Sequence, residues 1–182
     1  MSDHELPWPR LGVPLFRDGH HHTYLQINDP SFVASQFQAA GDALLEHCLN
    51  NQRDWVMRPA LYCYRHSVEM YLKTCIVLYT KADLPDEDRN HDLQRLWTKV
   101  KTLLEQAGDD KDDAVLAVDG WIEVLAAWDP KGESFRYADT KTGIRRGFQQ
   151  PALNAVDLRR TMEMLSTFLE GCADFLNAAS EP

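Results

Sequence analysis

Arg65-His66-Ser67-Val68-Glu69-Met70-Tyr71-Leu72-Lys73 places ionisable side chains in the most apolar surroundings of the chain. From Pro59 to Tyr79 the interior holds no Gly or Pro, and the apolar residues recur at helical spacing, which predicts one long helix. At about 100° per residue, Tyr62, His66, Glu69 and Lys73 fall within an arc of roughly 60° and form one stripe. The wide face of Leu61, Tyr64, Val68, Tyr71, Leu72, Cys75, Ile76, Leu78 and Tyr79 is apolar. A helix so poor in solvent-seeking residues belongs in the interior of its domain. The stripe is then either a buried network of mutually satisfied partners or a site.

The 182 residues suffice for one domain with a substantial core. An apolar fraction of 44% with 26% charged residues is that of a globular chain and argues against wholesale disorder. The net charge of −9 repels phosphate backbones at long range, so contact with nucleic acid requires a local basic patch. No apolar run approaches the roughly 20 residues that span a bilayer, and Met1 to Gly12 lacks a signal-peptide core. The expected location is the cytoplasm, with no membrane partner. Cys48, Cys63, Cys75 and Cys172 form no C-x-x-C pair and read as reduced core residues.

Outward from the central helix, residues 1–28 form an extended arm. Pro7, Pro9 and Pro14 punctuate it, and Trp8, Leu11, Val13, Leu15 and Phe16 supply side chains that need a surface to lie on. Of the His20-His21-His22 run, at most His20 and His22 face one ion in an extended segment, and no further ligand stands at suitable spacing, so neither metal nor cofactor is expected. The domain proper spans 29–180. Asp29-Pro30 opens a helix to about Asn50, with Phe32, Val33, Phe37, Ala40, Leu44, Leu45 and Cys48 facing inward. Asn90-His91-Asp92 opens a third helix, which Gly108 ends. Asp109 caps a fourth, whose first turn carries Asp110, Asp112 and Asp113 as helix starters at the positive end of the dipole. Asn154, with Asp157 three residues on, caps the last. Between the last two helices, Lys131 to Pro151 is one long loop or short hairpin containing Phe135-Arg136-Tyr137. The fold expected from these elements is all-α with about five helices.

Glu69 and Lys73 stand at i and i+4 in the orientation that favours a helical ion pair, with His66 one turn before Glu69. His91 and the Arg136 loop are positioned to meet them in space. On the functional reading, His66 and Glu69 are candidate acid–base groups at shifted pKa, and Arg65, Lys73, His91, Arg136 and Tyr137 are candidate contacts to an anionic ligand.

The segment Tyr64 to Lys73, then His91-Asp92-Leu93-Gln94-Arg95-Leu96-Trp97, then Phe135-Arg136-Tyr137, resembles the prokaryotic HEPN and HEPN-like helical domains. In that group an R-H-x-x-E-x-x-L-K helix, an H-D-L-x-x-L-W helix start and an F-R-Y-P loop occur in this order. The resemblance covers roughly Phe32 to Ala178. It implies an up-and-down helical bundle, commonly a homodimer, associated with toxin–antitoxin, phage-defence or RNA-processing systems in which many members are metal-independent RNases. Those RNases carry Arg followed after four to six residues by His on a helix near the dimer interface. In this chain that spacing occurs only from Arg17 to His22 in the arm, while seven residues separate Arg58 from His66, and Ala138 replaces the loop's Pro. The resemblance therefore implies a HEPN-like binding or regulatory module for RNA or nucleotide, with a cognate antitoxin or defence-system protein as partner. Two alternatives stand beside it: a metal-independent RNase using His66, Glu69 and Arg136, and a non-catalytic structural module for protein–protein interaction.

Overall fold

Burial runs almost all the way round the segment that contains Arg65, as its sequence requires. The computed structural model of the chain describes residues 30–51, 55–108, 113–136 and 153–181. These form α1 (Pro30–Asn51), α2 (Met57–Thr80), α3 (Leu93–Gln106), α4 (Asp113–Trp128) and α5 (Ala155–Ala179), with a 3-10 turn at Asp86–Asp88. No strand occurs among the described residues, and the architecture is an all-α helical bundle. The arm with His20-His21-His22, the expected caps at Asp29 and Asp109, and Tyr137 to Pro151 lie outside the described residues.

Helix α2 packs against α1, α3 and α5, and it buries Leu61, Tyr64, Val68, Tyr71, Leu72, Cys75 and Ile76 among them. Pro59 sits in its first turn, where a missing N–H leaves no hydrogen bond unmade. Lys81, in the left-handed conformation at φ 50°, ends it by returning its N–H to the Val77 carbonyl. The contacts of Phe37 with His66 and of His47 with Trp55 run in opposite senses along α1 and α2, so the pair is antiparallel. Tyr71 with Glu170 and Leu78 with Ser180 advance together, so α5 runs alongside α2 in the same direction. Asp92 and Asn154 cap α3 and α5 through side-chain oxygens that accept the Arg95 N–H and the Val156 and Asp157 N–H groups. Among the described residues, no helix is long and apolar enough to cross a membrane.

The inward face of α1 is rotated from the expected one. Leu45 and Cys48 are buried as expected, but Ala34 and Gly41 join them, whereas Phe32 and Ala40 are turned outward. Gly41 explains the rotation. A Cβ there would stand 2.7 Å from Cδ1 of Tyr64, so the ring seats directly on the glycine. The ring is wholly buried, and its hydroxyl donates to Asp42 Oδ1 at 2.7 Å, which leaves it nowhere to go. Burial and the Asp42 carboxylate together push the Tyr64 phenol far above its ordinary range, so it stays a neutral donor. Gly41→Ala is accordingly expected to destabilise. The overpacking cost of about 1–3 kcal/mol exceeds the roughly 1 kcal/mol gained in helix propensity, and a lowered midpoint of urea unfolding is the check.

Candidate functional site

Two cations and one acid on the central stretch cannot balance in a dry interior, and the structure shows what completes them. Arg65 and Glu69 are each 2% exposed and lie one helical turn apart, with Nη1 donating to Oε2 at 2.8 Å. Lys73 Nζ donates to Glu69 Oε1 at 2.8 Å, and His91 Nδ1 lies 2.8 Å from that same oxygen. The second acid is Asp129, fully buried just past the end of α4. Its carbonyl accepts from Arg65 Nε at 3.0 Å, and its Oδ2 stands 3.5 Å from the same nitrogen at ion-pair distance. The Arg65 Nη2 group donates to the His91 carbonyl. One guanidinium thus ties together α2, the segment entering α3 and the segment leaving α4.

The turn after α4 is built for this contact. Asp129-Pro130-Lys131-Gly132 follows ordinary turn chemistry, with Pro at the second position and Gly132 at φ +68°. A Cβ on Gly132 would lie 3.2 Å from Arg65 Nη1 and 3.5 Å from the His91 Cβ, so this backbone packs on the guanidinium edge. Asp129 Oδ1 accepts the Ser134 N–H at 2.8 Å, which curls the chain back and buries Phe135. Of the expected loop or short hairpin, the described part is non-helical and forms a turn, not a strand.

The stripe read from the sequence divides in two. Tyr62 and His66 stack with ring centroids 5.6 Å apart and an interplanar angle of 8°. Phe37 of α1 meets the His66 ring edge-on at 4.4 Å. The Arg136 guanidinium sits over Tyr62, 5.8 Å from the ring centre. No hydrogen bond or ion pair holds His66 among the described residues: the Glu69–Lys73 pair forms, and His91 rather than His66 stands beside the carboxylate. The candidates Arg65, Glu69, Lys73 and His91 therefore form one cluster, His66 and Arg136 flank Tyr62 in a second, and Tyr137 lies outside the described residues. Asp129, Gly132 and Phe37 were missed by sequence reasoning. For Asp129 a signal existed: a cationic excess in an apolar helix, followed later by an Asp-Pro-Lys-Gly turn at a helix end.

Electrostatics separates the two clusters further. Burial would raise the Glu69 carboxyl, but the hydrogen bonds and charges of Lys73 and His91 outweigh it and hold the group below its ordinary 4.5. Its oxygens already serve Arg65, Lys73 and His91, which leaves little lone-pair capacity to take a substrate proton. His66 is shifted down from 6.5, chiefly by burial, with Glu69 opposing and Lys73, Arg65 and His91 reinforcing. A histidine that resists protonation when folded binds its proton first in the unfolded chain. Its contribution is complete above 6.5 and is lost as the pH falls from there toward the lower folded value. Stability is thus expected to decline from pH 7 to pH 5, and His66→Phe, which keeps the ring stack, should flatten that limb in urea titrations. An unaltered limb would assign the loss to other groups.

Compared with known proteins, the chain matches no family model, no curated protein and no solved structure.

Proposed function

We propose that the chain is a HEPN-like binding module that holds single-stranded RNA or a nucleotide along the outer stripe of α2 without cleaving it. The observation that carries this reading is the Arg136–Tyr62–His66 stack beside the Lys73 ammonium and the His91 ring. Aromatic and guanidinium planes accept bases of any sequence, and a neighbouring ammonium donates to phosphate oxygens. Glu69, the acid of the stripe, is buried and shared between Arg65 and Lys73, so it presents no bare carboxylate to an anion there despite the net −9. Cleavage would require a base oriented by a partner. Glu69 is occupied, His66 has no hydrogen-bonded partner among the described residues, and the Arg-x(4–6)-His spacing is missing from the helices. A place in a toxin–antitoxin, phage-defence or RNA-processing system, a homodimeric state and a cognate antitoxin or defence-system partner belong to the same proposal and rest on the motif resemblance.

The test uses the full chain with a labelled single-stranded RNA in chelator-containing buffer, read by anisotropy and by gel. Saturable binding without cleavage is expected, weakened about tenfold or more in Tyr62→Ala and in Arg136→Ala. Cleavage that disappears in His66→Ala would instead establish an enzyme. Absence of binding in the wild type would remove the RNA reading.

A further inference from the structure

Away from the Arg65 cluster, α4 and α5 line a half-open cavity of about 240 Å³ between them. Its walls include Trp121, Leu125 and Trp128 from α4 and Leu153 and Met162 at and along α5. The α4 residues are spaced at i, i+4 and i+7, so they share one helix face. Both tryptophans remain partly exposed at this face although the cavity is almost wholly apolar. Asp157, in the first turn of α5, is the charged residue in the lining. Its backbone N–H is taken by the Asn154 cap, while no hydrogen bond or ion pair engages its carboxylate among the described residues.

Two indoles, an aliphatic floor and one carboxylate at the edge make a recognisable chemical combination. Indole faces attract cations by their quadrupole, most strongly where water is excluded, and a carboxylate adds a full negative charge. Beyond its place in the first turn of α5, the Asp157 charge would add nothing to the hold on a purely apolar molecule, and it would repel an anion. We infer that this cavity binds an organic cation with an apolar body, of the alkylammonium or arylammonium class, its cationic head between the tryptophans and Asp157. The site is independent of the proposed RNA surface on α2.

Benzyltrimethylammonium and its neutral isostere neopentylbenzene distinguish the contributions. The full-length protein is titrated with each while the indole N–H signals of its five tryptophans are followed by heteronuclear NMR. Expected are saturable shifts of two indole signals with the cation, identified as Trp121 and Trp128 by their loss in Trp121→Leu and Trp128→Leu. Binding of the isostere should be about tenfold weaker. Asp157→Asn, an exposed and nearly isosteric change, should weaken the cation several-fold and leave the isostere unchanged. Equal affinity for cation and isostere would overturn the assignment and leave an apolar cavity of no charge preference. Absence of saturable shifts with the cation, or shifts confined to Trp97 or Trp55, would also overturn it.

Discussion

Arg65→Met is expected to lower the free energy of unfolding by about 3–5 kcal/mol, the usual cost of removing one partner from a buried ion pair. The substitution keeps side-chain bulk but strands Asp129, which is fully buried, and removes the donors to the carbonyls of His91 and Asp129. Glu69 keeps Lys73 and His91 and so is less exposed to the loss. Against a typical total of about 5–15 kcal/mol the effect is large, corresponding to a fall of about 10 °C or more in Tm for a domain of this size. Arg65→Lys should recover only part of it. Lysine restores the charge, but a single ammonium cannot reach, with a planar fork, three acceptors on three segments. Thermal melts of both variants provide the check. Full recovery by lysine would mean that charge alone, and not the geometry of the fork, matters.

Glu69→Gln is the second large effect, about 3 kcal/mol at neutral pH. The amide keeps the shape, but it leaves the Arg65 and Lys73 charges without the carboxylate that joins them. Lys73, 15% exposed, can turn partly to water, whereas Arg65 cannot, so most of the cost arises at Arg65. The same substitution alters the acid limb. In the wild type the depressed Glu69 pKa contributes stability that is complete above 4.5 and lost as pH falls through the lower folded value. In Glu69→Gln that part of the decline should disappear from urea titrations between pH 5 and pH 2. If the variant keeps wild-type stability at pH 7, the carboxylate does not serve the fold and a functional role becomes the better reading.

Helical periodicity made α2 legible, because an uninterrupted run with apolar residues on nearly every face has no other stable home than the interior of a helical bundle. The caps of α3 and α5 were legible for an equally local reason, the placement of Asp92 and Asn154 before an apolar run. The facing of α1 was not, since Ala34 and Gly41 carry no hydrophobic signal and are buried because Tyr64 packs into the space that glycine leaves. The site was half legible for the same kind of reason. Angular position on α2 groups Tyr62, His66, Glu69 and Lys73, but it cannot tell that Arg65, just off the stripe, reaches forward to Glu69 while His66 turns to Phe37. Asp129 lies 64 residues from Arg65, and only the folding of α4 onto the bundle brings them together.

A double-mutant cycle in urea tests most directly whether the Arg65–Glu69 cluster is a structural clamp. Wild type, Arg65→Met, Glu69→Gln and the double variant are unfolded at pH 7 under one set of conditions. Expected is a coupling of about 2 kcal/mol or more, with the double variant well short of the sum of the two losses. Losses that add to within about 0.5 kcal/mol would contradict it, because independent residues cannot constitute one clamp.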